Sequence, residues 1–132
     1  MRAVARRSDG TLRHEVELGS QHRITADEPK QNGGSDAGPS PQELLAASLA
    51  SCTAVTIEMY ANRKGWDIGE IVVDVDYEPA QRGSPTRFDM AVHLPKELPE
   101  DQRQKLLQIA ARCPVHRTLE GEVMFDEHVE LR

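Results

Sequence analysis

Apolar and polar residues alternate along the first 26 residues of the chain, which predicts short half-buried β-strands. The dipeptides Asp9-Gly10 and Gly19-Ser20 favour tight turns between these segments. We therefore expect an N-terminal meander or hairpin. The three predicted strands are residues 3–6, 12–18 and 22–26.

The pattern then changes to a loop followed by a long helix. Residues 27–41 hold three prolines and three glycines, and a loop of this length in a small domain indicates a site or an interface. Ser40 can serve as the N-cap of the helix, Pro41 suits its first position, and Glu43 completes a capping box. We expect the helix to run to about residue 64 and to end at Gly65.

This helix is rich in small and apolar residues, and few polar side chains precede Glu58. It is therefore expected to be a central helix, buried on nearly all sides. One predicted stripe at steps of three and four places Cys52 on a packed face, and Met59 is expected to fill the core or an interface. The members of the stripe are Leu45, Leu49, Cys52, Thr56 and Met59.

The second half of the chain predicts a further hairpin, a helix, a short helical turn and a closing strand. Proline at position 114 separates the second helix from the turn, because it cannot continue a helix. The order β-β-β-α-β-β-α-β favours a single α+β domain over residues 1–132 with largely antiparallel sheet. The predicted elements are strands at 68–78 and 88–94, a helix opening at Pro99, a turn at 115–119 and a strand at 123–131.

Charge and hydropathy exclude several classes of function. The chain has 132 residues and a formal net charge of −6, so affinity for nucleic acid or anionic lipid is not expected. No apolar run follows the N-terminal arginines, so a signal peptide is not expected either. The longest mostly apolar run, residues 44–57, is 14 residues and is too short to span a bilayer. These features favour a cytoplasmic protein.

The chain contains two cysteines, Cys52 and Cys113. Their separation matches neither a zinc knuckle nor a thioredoxin-type C-x-x-C motif. It is compatible with a peroxide-reducing thiol and a second thiol that resolves it, since paired thiols in a reducing compartment are often redox-active. The alternative is that Cys52 is a small buried hydrophobic residue without chemistry.

A reactive Cys52 would need a nearby cation, because the thiolate is the nucleophile and a mid-helix position offers no helix N-terminus. Arginine suits this role, and Glu43, about two and a half turns earlier on the helix, is a candidate to orient it. Cys113 precedes Pro114 and can be the N-cap of the next helical turn, with His116 and Arg117 adding positive charge. No second pair of ligands completes a zinc site around C-x-x-H.

Three segments carry a resemblance to the OsmC/Ohr family of osmotically inducible and organic hydroperoxide resistance proteins: G-P-S-P-Q-E-L-L-A-A-S-L-A-S-C-T-A, M-Y-A-N-R-K-G-W and R-C-P-V-H-R-T-L-E-G. The resemblance implies an OsmC-like fold, an intertwined homodimer whose antiparallel sheets wrap long central helices, with sites at the subunit interface. It further implies reduction of organic hydroperoxides, and sometimes hydrogen peroxide, with Cys52 as nucleophile and Cys113 as resolving thiol. A dithiol, lipoyl protein in the Ohr branch, would reduce the disulfide, and no metal, haem or flavin is required.

The chain departs from the family pattern at two places, which brings it closer to the OsmC-like branch than to strict Ohr. Gln42 stands where the peroxidases carry the glutamate that orients the activating arginine, and the carboxylate is shifted to Glu43. The arginine itself is either Arg7 or Arg23. These departures motivate an alternative hypothesis, a non-catalytic dimeric stress protein that binds a small apolar or electrophilic ligand in an interface pocket.

Overall fold

A computed structural model describes residues 1–7 and 9–131 and shows an α+β protein with antiparallel sheets and one long helix, as predicted. A short 3₁₀ turn at Lys30–Asn32 lies in the loop before that helix. The regular elements are β1 (Ala3–Arg7), β2 (His14–Leu18), β3 (His22–Ala26), α1 (Pro41–Lys64), β4 (Val72–Glu78), β5 (Arg87–His93), α2 (Glu100–Ala110) and α3 (Pro114–Glu120).

The strands form two separate sheets. In the first, β2 is the central strand of an antiparallel meander, and Val16 lies opposite Ala5 on one side and Ile24 on the other. Gly19 makes the turn after β2 with a φ of 62°, a conformation that favours glycine. The second sheet is the two-stranded hairpin β4–β5, in which the rings of Tyr77 and Phe88 stack at 4.8 Å.

The chain forms two compact units. Unit 1 comprises Met1–Ala47 and Tyr77–Phe88, and it contains the meander and the loop before α1. Unit 2 comprises Ser48–Asp76 and residues from Asp89 onward, and it contains most of α1 together with α2 and α3. Both cysteines lie in unit 2.

The loop between β3 and α1 in unit 1 is held by the buried carboxylate of Asp27. It accepts hydrogen bonds from the backbone N–H groups of Glu28 (2.7 Å), Ala37 (3.1 Å) and Ser35 (3.2 Å). Gly34 lies so close to the Glu28 carbonyl that a Cβ atom there would be 1.9 Å from its oxygen. The loop is therefore ordered by one side chain and by a close approach of two backbone segments.

Helix α1 begins and ends where the sequence predicts. The Ser40 hydroxyl accepts from the Glu43 N–H at 3.1 Å, and the Ser40 N–H donates to Glu43 Oε1 at 3.0 Å, which completes the predicted capping box. Gly65 follows the last helical residue with a φ of 70°. Local chemistry therefore fixes both boundaries.

The predicted buried face of α1 is wrong. Cys52 is only partly buried and Met59 is 58% exposed, so the helix is not buried on nearly all sides within the single chain. Small residues surround the whole helix, and the pattern therefore offers too little contrast to mark the packed face. The buried residues follow steps of four: Leu49, Thr53, Ile57 and Ala61.

The core of unit 2 forms where α1, α2 and the segments around them meet. Trp66 packs against this cluster, and its ring meets Tyr60 edge-to-face at 5.7 Å. The cluster therefore packs the C-terminal half of α1 against other parts of unit 2. Its buried members are Ile57, Ala61, Ile68, Leu98, Leu106 and Ala110.

Two predicted strands differ from the structure. Strand β4 begins at Val72 rather than near residue 68, because Asp67 accepts from the Gly69 N–H at 3.2 Å and Gly69 adopts a φ of 65°. The predicted closing strand at 123–131 is wrong for the single chain, where these residues are not paired in a sheet. A strand needs a neighbour for its backbone groups, and a sequence pattern alone does not supply one.

By length and composition alone, α1 would be able to cross a membrane, with a mean hydropathy of 1.4 over an 18-residue window. The expectation that the apolar run is too short to span a bilayer is therefore wrong by this measure, because the helix continues beyond residue 57. Core helices of water-soluble proteins share this length and composition.

Candidate thiol site

Cys113 caps the N-terminus of α3, as predicted from its position before Pro114. Its Sγ accepts a hydrogen bond from the backbone N–H of His116 at 3.2 Å. The side chain is fully buried, and the Thr53 hydroxyl of α1 donates to the same sulfur at 3.7 Å. The resolving-thiol candidate is therefore bound by two donors from two helices.

Cys52 lies next to Cys113, so the fold brings together the two cysteines that are 61 positions apart in the sequence. Both are free thiols. Burial raises the pKa of the Cys52 thiol above its ordinary value, and the neighbouring Cys113 raises it further. The backbone N–H of Val115 and the hydroxyl of Thr56 donate to the Cys52 sulfur and lower its pKa, but burial dominates.

The donors form a regular arrangement around the two sulfurs. Each sulfur receives one backbone N–H from the first turn of α3 and one threonine hydroxyl from α1. Sequence reasoning missed the two hydroxyls, because the predicted stripe includes Thr56 only as a packing residue and does not include Thr53. The available signal is C-T-A-V-T, which places hydroxyls one and four positions after Cys52.

The candidate carboxylate Glu43 lies in the first turn of α1, in unit 1, where its described partner is Ser40. Hydrogen bonds from the Ser40 N–H and hydroxyl lower the pKa of Glu43, so the group is held ionised. Gln42, beside it, is exposed. The geometry of Glu43 is that of a helix cap, which was one of its two predicted roles.

The two candidate arginines have their described contacts within unit 1. Arg7 donates to the carbonyl oxygens of Gly10 and Thr11, and Arg23 forms an exposed ion pair with Glu17 at 3.6 Å. Among residues 1–7 and 9–131, the groups that shift the pKa of Cys52 include no arginine or lysine. Within the described part of unit 2, the Cys52 thiol therefore has hydrogen-bond donors but not the cation that a low thiol pKa requires.

Basic and potential metal-binding groups near Cys113 are likewise few. His116 pairs through Nε2 with Glu120 Oε1 at 2.7 Å, so its described contribution to Cys113 is the backbone N–H. Arg117 is exposed. No group of three or more His, Cys, Asp or Glu side chains is positioned to hold a metal ion in the part of the chain that the structure describes.

Residues 33–128 match the OsmC-like protein family. The chain belongs to this family. The match includes α1, both cysteines and their donors, so the thiol site lies within the part that defines an OsmC-like protein.

Solved structures of other OsmC/Ohr proteins share the fold. A Psychrobacter arcticus protein assigned to osmotic stress and detoxification is 29% identical, with a TM-score of 0.73 over 88% of this chain and 85% of its own. An OsmC-like protein from Mycoplasma pneumoniae is 21% identical, with a TM-score of 0.74 over 91% and 86%. The organic hydroperoxide resistance protein OhrB of Bacillus subtilis is 21% identical, with a TM-score of 0.61 over 91% and 90%.

Proposed function

We propose that this OsmC-like protein is a thiol-dependent peroxidase that reduces organic hydroperoxides, with hydrogen peroxide as a further candidate substrate. The observation that carries the proposal is the direct contact between two free thiols, one partly exposed and one fully buried, each with two hydrogen-bond donors. When one of two adjacent thiols is oxidised to a sulfenic acid, the other can condense with it to a disulfide without a metal, haem or flavin.

The exposure of the two sulfurs supports the division of roles. Cys52 is partly exposed and can react with a peroxide from solvent, whereas Cys113 is fully buried and can react only with the adjacent Cys52. In the proposed reaction the Cys52 thiolate attacks the peroxide, the O–O bond breaks, and an alcohol leaves after taking up a proton. Cys113 then attacks the Cys52 sulfenic acid, the S–S bond forms, and the hydroxyl leaves as water.

The proposal includes partners that complete the reaction. We infer a homodimer acting in the cytoplasm as one OsmC-like domain per chain, with a dithiol such as a lipoyl protein as reductant. Neither nucleic acid nor membrane is a proposed partner. Because no cation in the described part of unit 2 lowers the pKa of Cys52, the dimer is the proposed source of activation, with Arg7 and Arg23 as the candidate cations and Glu43 as the candidate orienting group.

Steady-state turnover with cumene hydroperoxide and dihydrolipoamide tests the proposal. Cys52→Ser should abolish peroxide consumption, because it removes the nucleophile. Cys113→Ser should consume about one equivalent and then stall as the sulfenic acid. Full turnover by Cys52→Ser would contradict the mechanism. Alanine variants of Arg7 and Arg23, one at a time, should identify the activating cation by a loss in kcat/KM.

The raised pKa of Cys52 favours one second candidate, the non-catalytic dimeric stress protein that binds a small apolar or electrophilic ligand. The two candidates differ in the titration of Cys52 in the assembled protein. Iodoacetamide alkylation from pH 5 to pH 10 measures this pKa. A value at or above that of a free cysteine, about 8.5, supports the binding protein, whereas a value well below neutrality supports the peroxidase.

A further inference from the structure

Thr53 is a buried polar residue on the packed face of α1. Its side chain is fully buried among apolar neighbours on the same stripe, Leu49 and Ile57. An apolar residue would fill this position equally well, and a buried hydroxyl is unfavourable unless it makes a hydrogen bond. The described side-chain partner of this hydroxyl is Cys113 Sγ, at 3.7 Å.

The hydroxyl acts together with the backbone of α3. The His116 N–H donates to Cys113 Sγ from the same helix as the cysteine, and Thr53 donates from α1. Donors from two helices fix the sulfur against Cys52, which is the neighbour of Thr53 in the sequence. Two donors from different helices restrict the rotation of the Cys113 side chain, so they hold its sulfur in position for a reaction at Cys52.

We propose that Thr53 is a positioning residue for disulfide closure: its hydroxyl orients Cys113 Sγ for attack on the Cys52 sulfenic acid. This inference rests on the proposed function. In the closing step the Cys113 sulfur forms the S–S bond as the S–O bond of Cys52 breaks, and the departing hydroxide takes up a proton to form water. Thr53 donates a hydrogen bond to Cys113 before the step and transfers no proton itself.

The test separates the two chemical steps in rapid-quench experiments with cumene hydroperoxide. Thr53→Val keeps the branched shape and removes the hydroxyl, whereas Thr53→Ser keeps the hydroxyl. We expect Thr53→Val to slow disulfide closure about tenfold and to accumulate dimedone-reactive Cys52 sulfenic acid. Thr53→Ser should close at nearly the wild-type rate.

Thr56→Val is the matched control, because Thr56 donates to the other sulfur. It should slow the first step and leave closure nearly unchanged. Circular dichroism melting of each variant shows whether it is folded at the assay temperature. Closure by folded Thr53→Val at the wild-type rate would overturn the proposal.

A second oxidant distinguishes failure of this inference from failure of the proposed function. Diamide oxidises a thiol pair to a disulfide without a peroxide, so it reports on Cys113 even if hydroperoxides do not react. If wild-type protein ignores hydroperoxide, the peroxidase proposal fails. If Thr53→Val then also forms the disulfide with diamide as fast as wild type at every pH, the role of Thr53 fails as well; slower formation supports it.

Discussion

Asp27, in the loop before α1, is buried and Cys52, in the middle of α1, is partly buried, yet the fold shifts the pKa values of these two acids in opposite directions. Backbone N–H groups of Ala37, Glu28 and Ser35 outweigh the burial of the Asp27 carboxyl and lower its pKa. The carboxylate is therefore ionised by donors that lie within the chain.

At Cys52 the balance is reversed. Burial and the adjacent Cys113 raise the pKa of the thiol, and the Val115 N–H and Thr56 hydroxyl lower it by less. The comparison shows that hydrogen-bond donors alone stabilise the charge of a carboxylate but do not suffice for a buried thiol, whose ordinary pKa is far higher. A reactive Cys52 consequently requires an additional positive charge, which the proposed dimer would provide.

The largest effect on stability is expected at the close backbone approach beside Asp27. A Cβ atom at Gly34 would lie 1.9 Å from the Glu28 carbonyl oxygen, so Gly34→Ala forces the backbone apart and should cost about 3 kcal/mol in the free energy of unfolding. Urea denaturation measures the change. Gly19→Ala is the control, because Gly19 has φ +62° but no atom within 4 Å, and it should cost only about 1 kcal/mol.

The charge of Asp27 is tested by Asp27→Asn, which keeps the shape of the side chain. The pKa of Asp27 is lowered in the folded state, so its stabilising effect is complete above the ordinary value of 3.8 and is lost as the pH falls through the lowered value. Wild type should therefore have the higher urea midpoint at pH 7, and the difference should shrink below pH 3.8. Equal midpoints at pH 7 would show that the charge is unimportant.

The donor at Cys52 is tested by Thr56→Val. Loss of the hydroxyl should raise the pKa of Cys52 further, so alkylation by iodoacetamide at pH 7 should slow about threefold. The reason is that only the thiolate reacts. The control is Thr53→Val: the Thr53 hydroxyl contacts Cys113 Sγ and not Cys52, so its loss should leave the alkylation rate of Cys52 nearly unchanged. If Thr56→Val and wild type were alkylated at the same rate, Thr56 would have no influence on the Cys52 thiol.

The smallest effects are expected at the helix cap. Ser40→Ala should destabilise the protein by about 1 kcal/mol, because it removes the hydroxyl that accepts from the Glu43 N–H. Glu43→Gln should change the thermal midpoint less, since the amide oxygen still accepts from the Ser40 N–H. Its peroxide turnover decides the role of Glu43: unchanged turnover fits a cap alone, and a large loss would indicate an orienting carboxylate.

The sequence was sufficient where local chemistry decides the structure. Ser40 and Gly65 mark the ends of α1, and Cys113 before Pro114 marks the start of α3. Each of these signals acts within four residues of the boundary that it sets. The contact between Cys52 and Cys113 was expected only through the family resemblance.

Features that depend on distant parts of the chain were not predictable in the same way. Small residues on every side of α1 hid its packed face, and so the buried hydroxyl of Thr53 was missed. The alternating residues 123–131 suit a strand, but a strand forms only where a partner edge is available. In the single chain Phe125 is 78% exposed and Val129 86%.

The central claim is that Cys52 and Cys113 form a redox pair, and the most direct test is the intact mass of the reduced protein after one equivalent of cumene hydroperoxide. The account predicts a rapid loss of about 2 Da and a peptide map with a Cys52–Cys113 link. Two unmodified thiols after several minutes would contradict the peroxidase and favour the ligand-binding alternative.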